Sequence, residues 1–191
     1  CDYFCIASKM ALEIPGTMTM EMAAMVEPAC VAYHGAKRGH IQPGDRVLVI
    51  GAGPIGIFCM QSCFALGAKE VYVSDMDTQR LALAEKLGAT GIIKAGEESL
   101  SDGLKRLTGS EKSIDVFYDC VGEKGIVLNN ILSVARRGSR IVVIGVLQKV
   151  YDIPLLPDFV QHELSVSGTT MYTPSDYREM IDLMGRGIIK I

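Results

Sequence analysis

The sequence predicts an α/β domain: a doubly wound, six-stranded parallel sheet with helices on both faces. Three observations carry that expectation. From Arg46 onward, short β-type runs alternate with stretches of helical period; a glycine-rich turn, Gly51-Ala52-Gly53-Pro54-Ile55-Gly56, follows the first apolar run directly; and Asp75 closes the second run. A chain of 191 residues, 49% hydrophobic and 21% charged, holds enough apolar material for one well-filled core.

Taken in order, Tyr3–Ile14 reads as extended. Thr19–Val26 and Pro28–Lys37 read as two helical stretches broken at Glu27-Pro28, because proline removes a helix donor. Val47–Ile50 is strand one, and the helix after the glycines ends near Gly67. Strand two is Glu70–Ser74. Asp77 caps a helix whose Leu81, Ala84 and Leu87 share one face before Gly88 stops it. Gly91–Lys94 is a short third strand. Ser99-Leu100-Ser101-Asp102 opens the next helix as a capping box with Asp in place of Glu or Gln, and Gly109 ends it. Asp115–Asp119 is strand four, Ile126–Arg136 a helix closed by Gly138, Arg140–Ile144 strand five and Leu164–Gly168 strand six. Between the last two, Leu147–Gln161 carries Pro154 and Pro157 and reads as a loop with a short turn. Thr173-Pro174-Ser175-Asp176 starts the last helix with a cap, a first-position Pro and an acid.

Composition excludes several functions. A net charge of -3 with scattered Lys and Arg offers no footprint for nucleic acid or an anionic membrane surface. No apolar run approaches the roughly 20 residues that span a bilayer, so a soluble, cytoplasmic protein is expected. The six cysteines form no Cys-x-x-Cys; Cys59 and Cys63 lie one helical turn apart and read as reduced core thiols. The start at Cys1-Asp2-Tyr3-Phe4-Cys5 and the end at Gly187–Ile191 suggest a piece cut from a longer chain.

The glycine turn has a mechanical reading. Gly51 lets the chain reverse, Gly53 leaves room for a pyrophosphate, and Gly56 lets the next helix lie close on the strand. Pro54 suits a first helical position, and the helix N-terminus beyond it attracts phosphate. Asp75 stands where a carboxylate takes both hydroxyls of an adenosine ribose, which favours NAD over NADP. Arg80, one turn into the next helix, could stack on adenine or accept a phosphate. A structural glycine turn is the plain alternative, and a nucleoside-cofactor methyltransferase also uses a Gly-rich first turn with a second-strand acid. Glu27 is read two ways: as an N-cap before Pro28, or as a metal-site acid. His34 shares its helical face but, amid Val31, Ala32 and Ala36, reads as a packed structural residue.

Val26-Glu27-Pro28, Tyr33-His34-Gly35, Gln42-Pro43-Gly44-Asp45-Arg46-Val47-Leu48-Val49, the glycine turn, Asp75 with Arg80, and Gly88-Ala89 together resemble the zinc-type medium-chain dehydrogenases, in the branch of sorbitol, butanediol and threonine dehydrogenases. The resemblance implies a Rossmann domain over 17-191 that binds NAD, preceded by an extended segment over 1-16 left from a catalytic domain. It implies zinc in the full-length protein, with Glu27 the one metal-site residue present. It also implies an alcohol or polyol substrate, and a homodimer formed through the apolar edge of strand six. Cys120-Val121-Gly122 should then approach the adenosine-side ribose and pyrophosphate, and Ile144-Gly145-Val146 with Thr169-Thr170-Met171 should line the nicotinamide. On this reading the 191 residues bind NADH but oxidise no alcohol unaided; a non-catalytic dinucleotide module is the alternative.

Overall fold

The computed structural model describes residues 3–122, 126–146 and 159–191. Its strands are β1 (Arg46–Ile50), β2 (Glu70–Asp75), β3 (Gly91–Lys94), β4 (Val116–Asp119), β5 (Arg140–Val143) and β6 (Ser165–Gly168). They form one sheet in the order β3-β2-β1-β4-β5-β6, every neighbouring pair parallel. The helices are α1 (Met20–Arg38), α2 (Pro54–Ala65), α3 (Thr78–Lys86), α4 (Leu100–Thr108), α5 (Ile126–Val134), the single turn α6 (Val160–His162) and α7 (Pro174–Gly185). The chain builds outward from β1 to β3 on one side and from β4 to β6 on the other. That reversal leaves a crevice above the carboxyl ends of β1 and β4, where ligands of such sheets bind.

Side-chain alternation along the strands sorts two cores. Val47 and Val49 of β1 pack with α1, α2, α3 and α7 through residues such as Ala29, Phe58, Leu81 and Met180. Leu48 and Ile50 point the other way, to Leu104 of α4 and Ile131 of α5. Both faces of β1 are covered, so its residues are nearly continuously apolar rather than alternating.

The expected break at Glu27-Pro28 does not occur. α1 runs through Pro28 without interruption, capped by Thr19, whose hydroxyl accepts from the Met22 amide at 3.2 Å. An interior proline costs about 3 kcal/mol. Offsetting it, Val26, Ala29, Cys30, Ala32, Tyr33 and Ala36 are all at most 6% exposed, so tertiary burial outweighs local propensity. Glu27 therefore sits in mid-helix and caps nothing.

Smaller departures have local causes. The segment expected to be extended contains a 3₁₀ turn at Ser8–Met10, closed by the Ala11 amide on the Ser8 carbonyl at 3.1 Å. α5 stops at Val134 rather than Arg136, because the Ser139 hydroxyl accepts the Arg136 amide at 3.1 Å and donates to the Ile114 carbonyl at 2.9 Å. β6 starts at Ser165 because the Leu164 amide is used by the Phe159 carbonyl at 3.1 Å, and Leu164 packs against the α4–α5 core. The sheet edge is consequently less apolar than expected, with Val166 its one large apolar residue. Of the proposed loop Leu147–Gln161, residues 147–158 lie outside the described residues, and α6 takes up its end.

Candidate dinucleotide-binding site

The β1–α2 turn is shaped by a left-handed residue and a close approach. Gly51 sits at φ 97°, a region that side chains resist, and its amide donates to the Ser74 carbonyl at 2.8 Å. A Cβ on Gly56 would lie 1.7 Å from the Gly51 carbonyl oxygen, so only glycine lets α2 start this close to β1. α2 opens with Pro54 at its first position and Gly53 as its cap, and no side-chain oxygen caps it. Free first-turn amides and the positive helix end are the chemistry that receives a phosphate.

Asp75 ends β2 and is bound into this turn. Its Oδ2 accepts the Ala52 amide at 2.6 Å, its Oδ1 accepts the Asp77 amide at 2.8 Å, and the Arg80 guanidinium stands 3.9 Å from Oδ2. A carboxylate has about four lone-pair sites, so acceptor capacity remains for ribose hydroxyls. Asp77 caps α3 by accepting the Gln79 and Arg80 amides at 2.7 and 3.2 Å. Those bonds hold Arg80 in place at the rim.

A crevice of about 720 Å³ opens above these strand ends. Of the residues singled out from the sequence, Gly51, Gly53, Asp75, Arg80, Cys120 and Val121 line it. Pro54, Ile55 and Gly56 build the helix start beside it. Its far wall, Ser99, Leu100 and Ser101 of the α4 start with Asn130 and Ser133 of α5, was missed. In the sequence Ser99 reads as a helix cap, although the loop after β3 also leaves a carboxyl strand end, where ligands of such sheets bind.

The β4–α5 turn is held by Asp119. This carboxylate is 1% exposed; its Oδ1 accepts the Val121 and Gly122 amides at 3.0 and 3.3 Å, yet desolvation by burial leaves its pKa raised. Gly122 meets the next strand's loop directly: a Cβ on Gly145 would lie 2.3 Å from the Gly122 nitrogen. Behind Cys120, Cys59 and Cys63 are buried and unpaired, as expected of core thiols, and burial followed by the neighbouring Cys120 and Cys63 pushes the Cys59 thiol well up.

The second group of expected residues lies outside the crevice. Ile144 packs on α1 at Gly35, where an added Cβ would be 2.5 Å from its Cδ1; Val146 is 83% exposed; and Met171 is 60% exposed at φ 57°. Thr169 has a buried hydroxyl with no partner among the described residues, and Thr170 is exposed. These residues cluster at the carboxyl ends of β5 and β6, continuing the line of strand ends from Val121.

Glu27 is exposed on α1, next to the β6–α7 connection. Burial first, then the Glu27 carboxylate, raises the Tyr172 phenol, and burial with Asp176 and Glu27 pushes the Cys30 thiol up to about 12. Among the described residues, no group of three His, Cys, Asp or Glu is arranged to hold a metal ion. Structural and catalytic zinc sites draw on three or four protein ligands, so the described residues do not fit a complete zinc site. His34 Nδ1 meets Asp176 Oδ2 at 2.8 Å, and among the described residues His34 has no companion set of metal ligands.

Fold and crevice together define a doubly wound α/β domain of the dinucleotide-binding type. The family described as zinc-binding dehydrogenase matches residues 54–186. The chain belongs to that family, the zinc-type medium-chain dehydrogenases, and the methyltransferase alternative falls away. It is 32% identical over 177 residues to a sorbitol dehydrogenase of Bacillus subtilis, covering 92% of this chain and 49% of that protein. Among solved structures it resembles an alcohol dehydrogenase of Escherichia coli CFT073 complexed with NADH (TM-score 0.86, 26% identity, 97% of this chain and 53% of that one). It also resembles a candidate zinc-binding dehydrogenase of Sinorhizobium meliloti bound to NADP (TM-score 0.84, 28% identity, 94% and 53%). The chain spans about half the length of the curated relatives it matches.

Proposed function

We propose that this chain binds NAD across the carboxyl ends of its strands, and that the intact protein uses it to transfer hydride between a secondary alcohol or polyol and the nicotinamide. The observation that carries the reading is the uncapped start of α2 beside Asp75, at the point where the strand order reverses. The pyrophosphate would meet the α2 amides, the adenosine ribose Asp75, and the nicotinamide the loops at Ile144–Val146 and Thr169–Met171. Zinc, which the family name implies, would supply a Lewis acid to polarise the substrate oxygen in the longer protein. From this chain Glu27 would stand nearest to it. The likeness to a sorbitol dehydrogenase supports a polyol-type substrate.

NAD is preferred to NADP on this reading, because Asp75 would repel a 2′-phosphate. Support is divided, since one similar structure holds NADH and another NADP. The protein is taken to be cytoplasmic, consistent with no helix among the described residues being long and apolar enough to cross a membrane. A homodimer would form through the unpaired edge of β6. Titration with NADH, NADPH and S-adenosylmethionine tests the binding reading: NADH should bind tightest. Turnover on a panel of polyols by the longer protein tests the reaction, and failure to reduce NAD with any secondary alcohol would overturn it.

A further inference from the structure

The β6–α7 connection is tied to α1 by a side chain that a helix cap alone does not explain. Asp176 is 1% exposed. Its Oδ2 accepts the Thr173 amide and the Thr173 hydroxyl, each at 2.7 Å, which completes the capping box of α7. The same oxygen also meets His34 Nδ1 at 2.8 Å, and Oδ1 meets the Lys37 ammonium at 3.0 Å. Two donors come from the connection and two from α1. Around this bridge, Glu179 Oε2 accepts the Tyr33 hydroxyl at 2.8 Å and Lys37 at 3.0 Å, so Tyr33, His34 and Lys37 present one helical face to α7.

What the bridge holds is short and strained. Between Gly168, which pairs with Val143, and the clamped Thr173 lie only Thr169, Thr170, Met171 and Tyr172. Thr169 begins the span against α1, its Cγ2 lying 3.4 Å from where a Cβ on Gly35 would stand. Met171 adopts φ 57°, a left-handed conformation that a non-glycine residue keeps when its surroundings over-determine it.

We propose that Asp176 is a positioning residue for coenzyme binding: its bridge to His34 and Lys37 fixes the Thr169–Met171 span against α1, in the place where the nicotinamide ring is received. This rests on the NAD reading given above. Asp176 touches no ligand itself. It acts through the loop, so it governs the nicotinamide half of the coenzyme and not the adenosine half, whose contacts are at Gly53 and Asp75 across the sheet.

The test compares NADH with ADP-ribose, which lacks the nicotinamide ring, as ligands of the full chain. In D176N the Thr173 cap keeps an acceptor while the ionic bridge to α1 is lost, so NADH should bind about tenfold more weakly while ADP-ribose stays within about twofold. K37M, a change at a half-exposed position, should move the ratio in the same direction by less. A merely structural role would lower the melting temperature and leave the ratio of the two affinities unchanged in both variants. That result, or equal weakening of both ligands, overturns the proposal, and K37M decides the matter if D176N does not fold. Failure of the unsubstituted chain to bind ADP-ribose overturns the coenzyme reading, and this proposal with it.

Discussion

Gly53→Ala separates the binding site from the fold that carries it. Gly53 has φ -67° and ψ -179°, extended backbone that alanine adopts readily, and a Cβ built there meets nothing within 4 Å. Two small effects oppose each other in the free protein. Alanine restricts the unfolded chain and stabilises by about 0.4–1 kcal/mol, but it is a poorer N-cap than glycine by roughly 0.5–1 kcal/mol. The net is near zero, so the melting temperature should move by no more than about 3 °C. Binding should respond quite differently. On the proposed function, the space beside Gly53 is where the pyrophosphate would approach the α2 amides, and a methyl group there would push it off at least one charge-assisted hydrogen bond. Such a bond is worth about 1.5–3 kcal/mol, which weakens NADH binding about ten- to hundredfold. Fluorescence titration of NADH alongside a thermal melt reads both quantities. An NADH affinity within about twofold of the unsubstituted chain, with the protein folded, would refute the placement of the phosphates at this helix start.

Gly56→Ala should disturb the fold as well as the site: its Cβ would lie 1.7 Å from a backbone oxygen, against the roughly 3.3 Å at which carbon and oxygen meet. The overpacking costs at least about 1–3 kcal/mol, lowering the melting temperature measurably as well as abolishing NADH binding. NADH should bind more tightly than NADPH, and Asp75→Ala should narrow that preference while also lowering stability, since Asp75 holds the Ala52 and Asp77 amides; tighter NADPH binding to the unsubstituted chain would contradict the role given to Asp75. Burial alone would raise the Asp176 carboxyl, but Thr173, Lys37 and His34 outweigh it and hold the group well below the usual carboxylate range. Its folded pKa is thus depressed, so its stabilisation is complete above about pH 5 and is lost progressively as pH falls through and below the usual carboxylate range; the melting-temperature gap between the unsubstituted chain and D176N should shrink between about pH 5 and 2.5. Sedimentation at high micromolar concentration should show a dimer, and Val166→Lys at the exposed edge of β6 should shift it toward monomer.

Much of the fold is local in origin and was legible in the chain. The alternating runs, the caps at Asp77, Ser99 and Thr173, and the glycine turn each depend on residues a few positions apart, and the caps and the turn appear where expected. The spacing from that turn to Asp75 also placed the acid correctly, because one strand–turn–helix–strand unit determines it.

Where local rules and packing disagreed, packing won. Pro28 argues for a helix break by itself, and only the buried face of α1 against α2 and the sheet shows why the helix continues. The crevice wall joins two distant pairs, Ser99 with Ser101 and Asn130 with Ser133; the local signal at the first reads as a helix cap, the second carries no motif, and the sheet order brings the pairs together. His34 and Asp176 are separated by 142 positions. Each alone reads as an ordinary helical histidine and an ordinary capping acid. The bond between them exists because parallel strands send successive helices to chosen faces, laying α7 beside α1, and sequence periodicity specifies the face of a helix but not the neighbour that will cover it.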